Sequence, residues 1–316
     1  MNYPISARQQ FAADLHAALS LAPRAISPKY FYDDIGSRLF EQICELPEYY
    51  PTRTELALLD KHGAEMAECV GAHAQLIEYG AGALRKVRHL LDHLQEPQAF
   101  VPVDISGAHL LAACAELAQA YPHLRIAPLV ADFTQPHDLP PRPVHDQQGR
   151  RVGFFPGSSI GNFTPGEARE FLRMAAHELR GGGLLIGIDL IKDPAVLHAA
   201  YNDAAGVTAA FNLNLLERAR RELGASFDAD GFVHSAFYNA PFQRIEMHLQ
   251  SRRKQTLDLG GTQYEFAAGE TLHTENSHKY SVSGFQQLAA QAGFSAGPVW
   301  TDEREWFALL WLKAPD

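Results

Sequence analysis

The segment best suited to bind a ligand is residues 78–83 (EYGAGA), which follow a short apolar run and open a helical pattern. Glycines let a backbone approach a bound molecule where side chains would block it, and the start of a helix favours anionic groups. A dinucleotide site would also need a third glycine where Arg85 stands, because the cradle for a pyrophosphate depends on it. The turn therefore predicts a nucleotide site and disfavours NAD.

Two acidic residues and one aromatic residue follow later apolar runs in the order that an adenosine ligand requires. Asp104 ends the second run, where its carboxylate can accept hydrogen bonds from both ribose hydroxyls. Asp132 and Phe133 end the third run, where a carboxylate can accept the exocyclic amine of adenine and a ring can lie on its face. Each carboxylate alone also suits a helix cap or a turn. Together the three residues favour S-adenosylmethionine as the ligand.

The elements that must position these residues alternate between short apolar strands and helical patterns from about residue 55 to residue 191. Such alternation is typical of βαβ units in a parallel sheet. The predicted strands are 75–79, 99–103, 126–130, 152–155 and 184–188. Apolar residues of the intervening segments recur at helical spacing, so each helix has an apolar stripe for the sheet. A doubly wound α/β core follows from this pattern.

The pattern changes after Ile191. A helical stretch is followed by FVHSAFYN, RIEMHLQS and QTLDLGGTQYEF, which predict antiparallel strands, and Gly260-Gly261 is a hairpin signal. The chain then returns to a helix at 283–292 and ends in a hairpin whose second arm is apolar enough to be buried. Parallel strands with a terminal antiparallel hairpin suit a methyltransferase core better than an open dinucleotide fold.

Composition disfavours several classes of protein. The 316 residues carry a formal charge of −10 with scattered Lys and Arg, so no basic surface for nucleic acid is expected. Cys44, Cys69 and Cys114 are far apart, which predicts reduced thiols in the cytoplasm. Neither a signal peptide nor a membrane span is predicted, because no sufficiently long apolar run occurs. No metal site is predicted either, since His273 and His278 form only a weak pair.

Five longer strings resemble the histidine-specific methyltransferases of ergothioneine biosynthesis, and the likeness covers nearly the whole chain. The strings are SPKYFYDDIGSRLFEQICELPEYYPTRTE, FFPGSSIGNFTP, AAYNDAAGVTAAFNLN, RIEMHLQ and LHTENSHKY. The resemblance implies transfer of three methyl groups from S-adenosylmethionine to the α-amino group of L-histidine, which gives the betaine hercynine. It also implies a Rossmann-like class I S-adenosylmethionine-dependent methyltransferase core at 55–191 and 280–316. A second, α+β domain at 1–54 and 192–279 would bind the substrate.

Carried over residue by residue, the resemblance implies a set of contacts for each reactant. The methyl donor would be surrounded by Tyr32, Gly80, Lys86, Asp104, Asp132 and Phe133. The substrate would be bound by Tyr49, Gly157, Asn162, Tyr201, Met247, Glu275 and Ser277. Within the second set, Tyr49, Asn162 and Tyr201 would act as the catalytic residues, because they would hold the carboxylate and the amino group.

Selectivity for the side chain would depend on Glu275 and Ser277, which the resemblance places on the imidazole. A buried carboxylate left without a partner would penalise an apolar amino acid. Met247 would pack beside the imidazole, and Gly157 would shape the floor of the site. One departure bears on donor affinity: the family's Gly-Ser-Gly-Thr-Ser turn is Gly-Ala-Gly-Ala-Leu at residues 80–84, so hydroxyls are lost.

Two alternatives remain at this point. One is a methyltransferase of the same fold that acts on another small amine, another amino acid or a protein side chain, and the other is a noncatalytic sensor that binds the donor without transfer. The expected partner is the small-molecule substrate L-histidine, and neither nucleic acid nor a membrane is expected. The chain is expected to act as a monomer.

Overall fold

Nine α-helices and fourteen strands lie in the residues that the computed structural model describes, namely 6–135, 137–141 and 149–316. The helices are α1 (Ala7–Ser20), α2 (Asp34–Glu45), α3 (Tyr50–Val70), α4 (Arg85–Leu91), α5 (Gly107–Ala120), α6 (Pro165–Glu178), α7 (Pro194–Tyr201), α8 (Val207–Arg218) and α9 (Val282–Gln291). The strands are β1 (Arg24–Ala25), β2 (Gln75–Tyr79), β3 (Ala99–Asp104), β4 (Arg125–Ile126), β5 (Leu129–Val130), β6 (Arg151–Phe155), β7 (Gly183–Asp189), β8 (Phe232–Asn239), β9 (Arg244–Ser251), β10 (Gln255–Leu259), β11 (Thr262–Phe266), β12 (Thr271–His278), β13 (Ser295–Thr301) and β14 (Phe307–Lys313).

One mixed sheet has the strand order β13-β14-β7-β6-β2-β3-β4, and β5 also pairs with β3. The pairings from β7 to β4 and β5 are parallel, whereas β14 is antiparallel to both β7 and β13. The predicted doubly wound α/β core with a terminal antiparallel hairpin is confirmed. Strands β2, β3, β6 and β7 lie within one residue of their predicted bounds.

The third predicted strand is wrong as a continuous element. Instead of one strand at 126–130, the chain forms two short pieces, β4 and β5, on either side of Ala127 and Pro128. The N–H groups of Ala127 and Ala131 donate to the carbonyl oxygens of Phe100 and Asp104 of β3, so Pro102, midway between these two, also faces this part of the chain. Because proline has no N–H to donate, a hydrogen bond of the ladder is missing between β4 and β5. Both pieces still pair with β3, and Asp132 and Phe133 still follow them.

Burial on both faces stabilises the sheet. Strands β2 and β7 are buried along their whole length. Successive side chains of a strand point to opposite faces, so Phe155 and Ile186 join one apolar cluster while Phe154 and Leu185 join another. Every residue of strand β14 except the last one, Lys313, is buried, as predicted for the second arm of the terminal hairpin. A parallel sheet needs this cover on each side.

A second sheet has the order β1-β12-β9-β8, and β10 pairs separately with β11. Strands β8 and β9 form the predicted antiparallel pair, with Phe232 opposite Ser251. Gly260 and Gly261 connect β10 to β11 with φ values of +60° and +86°. A tight two-residue turn requires positive φ at both positions, so this hairpin prediction is confirmed as well.

The chain divides into two compact units. The smaller unit is Met1–Tyr49 with Asp193–Ser277, and the larger unit is Tyr50–Lys192 with His278–Asp316. Helix α3 opens the larger unit, which therefore starts five residues before the predicted boundary at residue 55. Among the described helices, none combines the length and the apolar character needed to cross a bilayer.

Candidate functional site

The glycine-rich turn lies at the end of β2 in the larger unit. Gly80 and Gly82 adopt left-handed backbone conformations, with φ of +69° and +52°, which glycine reaches without steric strain. The N–H groups of Gly80 and Ala81 donate to the carbonyl oxygen of Val103 at 2.9 and 3.1 Å. Gly82 N–H donates to Asp104 Oδ2 at 3.0 Å. The structure therefore joins the turn to the end of β3 and brings Gly80 and Asp104 together.

Phe133 lies beside the same turn. A Cβ added at Gly80 would come within 3.3 Å of the Phe133 ring, so the glycine makes room for this ring. The ring packs edge-on against Phe155, with the centroids 5.5 Å apart. Asp132 precedes the ring, and its Oδ1 accepts a hydrogen bond from Thr134 N–H at 3.0 Å. An aromatic face and a carboxylate thus follow one another near the opening that Gly80 leaves.

Replacing Gly80 with alanine is expected to destabilise the protein by about 1–2 kcal/mol, because a residue with a Cβ is strained in the left-handed region. The added Cβ would also press on Phe133. A matched control is Gly166→Ala on α6, where an added Cβ meets nothing closer than 3.9 Å and alanine is the better helix former. Urea unfolding compares the two variants, and unchanged stability of Gly80→Ala would contradict the expectation.

Two of the residues in the turn that differ from the family's sequence, Ala81 and Leu84, pack into the apolar core. Ala81 and Leu84 are buried in one apolar cluster with Leu90 and Phe100. Leu84 precedes α4 in a left-handed conformation, with no side-chain hydrogen bond capping the helix. Apolar contacts and backbone hydrogen bonds therefore hold this turn, where hydroxyl groups stand in the family sequence.

A buried carboxylate that the sequence analysis did not single out connects two predicted site residues. Glu55 of α3 is 0 % exposed, and its Oε2 lies 2.7 Å from Lys86 Nζ. Both of its oxygens accept hydrogen bonds from the N–H of Gly157, at 3.0 and 2.9 Å. The sequence contained a signal for this residue, because Glu55 lies with Thr52 and Leu58 on the buried face of α3. A charge on such a face needs a partner.

Glu78, the last residue but one of β2, is a second buried acid. Its Oε2 has no hydrogen-bond partner within the described part of the chain. Burial raises the pKa of Glu78 well above its ordinary value, and the nearby charge of Lys86 lowers it less. Burial therefore favours the protonated form of Glu78, whereas Lys86 forms an ion pair with the carboxylate of Glu55.

An ion cluster is buried at the end of β7. Asp189 Oδ2 lies 2.7 Å from Lys279 Nζ, and the same carboxylate pairs with Lys192. The hydroxyl of Tyr50 donates to both Asp189 oxygens at 2.8 Å. Burial opposes the charge of Asp189, but the two lysines outweigh it and hold its pKa below the usual range. Burial also lowers the pKa of Lys192, to about 8.

Asn162 lies at the end of a short 3-10 turn that follows β6. Ser158, just before this turn, has φ +56°, and its hydroxyl accepts a hydrogen bond from Asp189 N–H at 2.9 Å. A Cβ added at Gly161 would lie 2.9 Å from the carbonyl oxygen of His278. Glycine at this position lets the turn pack against the end of β12, which fixes the backbone that carries Asn162.

Four predicted site residues gather in the smaller unit. Tyr201, the last residue of α7, donates its hydroxyl hydrogen to Ser277 Oγ on β12 at 2.7 Å. The ring of Tyr49 packs edge-on against that of Tyr201, with the centroids 6.4 Å apart. Glu275 lies two residues before Ser277 and close enough to Tyr49 for its charge to act on the phenol. The structure therefore brings hydroxyl groups and one carboxylate together.

Tyr49 keeps its proton in this environment. Burial raises the pKa of Tyr49 well above its ordinary value, and the neighbouring groups of Tyr201, Cys44 and Glu275 raise it further. A protonated phenol donates a hydrogen bond and does not act as a general base at physiological pH. Tyr49 is thus suited to hold an anionic group.

Tyr32 and Met247 are the other predicted site residues of the smaller unit. Tyr32 packs edge-on against Phe40 and Phe211, each with centroids 5.7 Å away. Met247 lies on β9 and is only 2 % exposed. Packing within the unit accounts for both positions, and their contacts with donor and substrate stay predictions.

A cluster of metal-binding side chain types lies on the second sheet. Glu246, His248 and His273 each place one ligand atom within 4.8 Å of the others. The two imidazole rings stack with centroids 4.6 Å apart and planes 14° apart, and Arg244 forms an ion pair with Glu246 at 2.6 Å. The guanidinium of Arg244 already neutralises the Glu246 carboxylate, and the lone pairs of the two imidazole rings lie in nearly parallel planes instead of pointing at one ion. Both features favour a hydrogen-bonded stack over a cation site.

The predicted site residues divide between the two units. The larger unit contains Gly80, Lys86, Asp104, Asp132, Phe133, Gly157 and Asn162. The smaller unit contains Tyr32, Tyr49, Tyr201, Met247, Glu275 and Ser277. The first set combines an open glycine turn with acids and a ring, as an adenosine group requires. The second set offers phenol and hydroxyl donors with one carboxylate, as a small polar molecule requires.

Comparison with known proteins finds relatives along nearly the whole chain. A histidine N-alpha-methyltransferase of Mycolicibacterium smegmatis is 42% identical over 310 residues, which cover 96% of this chain and 95% of that protein. The protein of the same name from Mycobacterium tuberculosis is 40% identical over 94% of this chain and 92% of its own length. Ergothioneine biosynthesis protein 1 of Neurospora crassa is 30% identical over 92% of this chain and 33% of its own length.

The family model that matches the chain describes a histidine-specific, SAM-dependent methyltransferase and covers residues 11–314. This match and those to the two mycobacterial proteins span both units from end to end. The protein therefore belongs to the S-adenosylmethionine-dependent, histidine-specific methyltransferases.

Proposed function

We propose that this protein transfers methyl groups from S-adenosylmethionine to the α-amino nitrogen of L-histidine, three times in succession, to give hercynine for ergothioneine biosynthesis. The observation that carries the proposal is the cluster of Tyr49, Tyr201, Glu275 and Ser277 in the smaller unit, where a carboxylate is held among hydroxyl groups. The names of the relatives, histidine N-alpha-methyltransferase and ergothioneine biosynthesis protein 1, support the same substrate and pathway.

The methyl donor would be held by Gly80, Lys86, Asp104, Asp132 and Phe133, with Tyr32 as a further contact. The residues fit such a ligand. A side chain at Gly80 would fill the space before the Phe133 ring, and Asp104 accepts one backbone hydrogen bond on each oxygen. A carboxylate has about four acceptor sites, so Asp104 can still accept the ribose hydroxyls. When bound, S-adenosylmethionine supplies an electrophilic methyl group on a sulfonium.

The substrate would be recognised at its two ends. Tyr49 and Tyr201, with Asn162, would hold the carboxylate and the amino group, for which protonated phenols and an amide are suitable partners. Glu275 and Ser277 would bind the two nitrogens of the imidazole. Met247 and Gly157 would complete the walls of the site. Because Tyr49 stays protonated, it serves as a hydrogen-bond donor throughout the reaction.

The transfer needs no strong general base. A neutral amine is already a nucleophile, and holding its lone pair in line with the methyl carbon supplies most of the required effect. We propose that the ammonium of histidine loses its proton to solvent before each transfer. Aromatic faces stabilise cations, and the rings of Tyr49 and Tyr201 would face the growing methylated ammonium.

The proposal is tested by incubating the purified protein with S-adenosylmethionine and an equimolar mixture of the proteinogenic amino acids, followed by mass spectrometry. Histidine alone should gain one, two and then three methyl groups. Methylation of a different amino acid would contradict the assigned substrate, and accumulation of the mono- or dimethyl product would contradict the trimethyl end point. Donor binding without any methylated product would favour a sensor.

Tyr201→Phe is expected to raise KM for histidine about tenfold, because one hydrogen bond in the substrate pocket is worth about 1 kcal/mol and somewhat more when it meets a charge. The variant also removes the hydrogen bond that Tyr201 donates to Ser277 Oγ. KM for S-adenosylmethionine should stay unchanged. Tyr264→Phe is the matched control, because Tyr264 also lies in the smaller unit and bonds His16 rather than a predicted site residue. Equal kinetics for the two variants would count against the role of Tyr201.

We further propose that the enzyme acts in the cytoplasm as a monomer, without nucleic acid or membrane partners. Support comes from the three cysteines, which form no disulfide with one another, and from the net negative charge of the chain. Light scattering after size-exclusion chromatography measures the mass in solution, and a dimer mass would overturn the monomer proposal.

A further inference from the structure

Lys86 and Gly157, one on the donor side and one on the acceptor side of the proposed reaction, share a single buried partner in Glu55. The ion pair with Lys86 Nζ measures 2.7 Å, and the Gly157 N–H lies about equally far from both carboxylate oxygens, at 3.0 and 2.9 Å. These three groups come from α3, α4 and the turn after β6. We propose that Glu55 is a positioning residue that holds Lys86 and the Gly157 turn in place and balances the charge of Lys86, so that the cationic methyl donor can bind beside it.

Two glycines leave room for the contacts of Glu55. A Cβ added at Gly187 on β7 would lie 2.3 Å from Glu55 Oε1, so the sheet has a glycine where the carboxylate needs room. A Cβ added at Gly157 would lie 2.9 Å from Lys86 Nζ, and Gly157 has φ +78°. Both glycines are therefore required for the contact to form.

The charge on this site matters because donor and product differ in charge. S-adenosylmethionine carries a sulfonium, an ammonium and a carboxylate, so its net charge is positive, whereas S-adenosylhomocysteine has lost the sulfonium and is neutral. Lys86 places a cation in the same unit as the donor-binding turn. The carboxylate of Glu55, 2.7 Å from Lys86 Nζ, offsets this charge and reduces its repulsion of the sulfonium.

The inference rests on the proposed donor contacts, and its test needs no methyl transfer. Isothermal titration calorimetry measures Kd for S-adenosylmethionine and for S-adenosylhomocysteine with the parent protein and with Glu55→Gln. Glutamine keeps the size and an oxygen that can accept the Gly157 N–H, but it lacks the charge. An unbalanced cation beside the donor should weaken binding of the donor about tenfold more than binding of the neutral product, because only the donor carries the sulfonium charge.

A double variant separates charge from structure. In Glu55→Gln combined with Lys86→Met no unpaired charge is buried, so the ratio of the two Kd values should return to that of the parent even if both affinities fall. Glu68→Gln, an exposed glutamate on the same helix, is the control and should change neither Kd. The double variant also keeps the test available if Glu55→Gln alone folds poorly.

Equal weakening of both ligands in Glu55→Gln, or a ratio in the double variant that stays as high as in the single one, would overturn the inference. Either result would leave the proposed histidine methylation untouched, because that activity is measured separately with the parent protein. Conversely, a parent protein that methylates another amine would end the proposed function and leave the role of Glu55 in donor binding intact.

Discussion

Replacing Glu275 with alanine is expected to lower kcat/KM for histidine by about 100-fold, while the rates with phenylalanine and tyrosine change little or rise. A hydrogen bond to a charged group in a buried site is worth about 1.5–3 kcal/mol, and about 1.4 kcal/mol corresponds to a factor of ten. The carboxylate also excludes apolar side chains, because they would leave it without a partner. Selectivity for histidine should therefore fall, because the rate with histidine decreases while the rates with phenylalanine and tyrosine do not. Competition assays with paired amino acids measure it directly.

Two further variants make the Glu275 result specific. Glu275→Gln keeps an acceptor oxygen for the imidazole N–H and should lose only about tenfold, as expected for a neutral in place of a charged acceptor. Glu265→Ala removes an exposed glutamate of the same unit, and its kinetics should match those of the parent. If Glu275→Ala retained the parent's preference for histidine, the imidazole contact would have to be assigned to another residue.

Replacing Asp189 with alanine is expected to destabilise the protein by about 3–5 kcal/mol, because it leaves two buried lysines without their shared anion. Lys279 and Lys192 are 0 % and 3 % exposed at their side chains, so water cannot replace the lost partner. The hydroxyl of Tyr50 also loses its acceptor. Urea unfolding should detect a loss of this size easily. Glu303→Ala, at an exposed acidic residue of the same unit, should have no effect.

The pH dependence of the Asp189→Ala variant has a definite sign. Burial already lowers the pKa of Lys192 to about 8 in the parent protein, and loss of the anion lowers it further. Lysine in the unfolded chain titrates near pH 10.4, so between the two pKa values the unfolded state binds more protons and stability rises with pH. The variant enters this window at a lower pH than the parent. Its deficit should therefore be smaller at about pH 9 than at about pH 6, and a deficit that grew with pH would contradict the account.

In the parent protein the Asp189 carboxylate makes the stability depend on pH in the acid range. The folded-state pKa of Asp189 lies below its unfolded value, since the two lysines outweigh the effect of burial. Its contribution is therefore complete above the unfolded pKa and is lost as the pH falls through the folded one. We expect the parent to lose stability below about pH 4, and the Asp189→Ala variant to lose less over that range.

Local sequence was enough to locate most of the larger unit. Short apolar runs bounded by glycine, proline or aspartate mark β2, β3, β6 and β7 to within a residue, because a strand buried on both faces is mostly apolar. The sequence also predicts that the glycine turn and Asp104 contact the same ligand. They meet because parallel neighbours end at one edge of the sheet, and the hydrogen bond from Gly82 N–H to Asp104 joins them there.

The third strand shows where local pattern is insufficient. The apolar run from Ile126 to Val130 satisfies the rules for a strand, yet Pro128 interrupts it and only two short pieces pair with β3. A residue of an apolar run joins the sheet only where the neighbouring strand offers it a hydrogen-bond partner. The tertiary fold sets which strand is the neighbour, so the sequence of the run does not determine the pairing.

The sequence by itself determined the α/β core, the antiparallel pairs β8–β9 and β10–β11 and, through long strings, the family. The tertiary structure alone decided the buried polar contacts: Glu55 with Gly157, Asp189 with Lys279, and Tyr201 with Ser277. Secondary structure follows from the periodicity of neighbouring residues, whereas a buried charge or hydroxyl finds its partner only where distant segments pack. Nothing in the spacing of Glu55 and Gly157 along the chain, 102 residues apart, specifies that they will share a hydrogen bond.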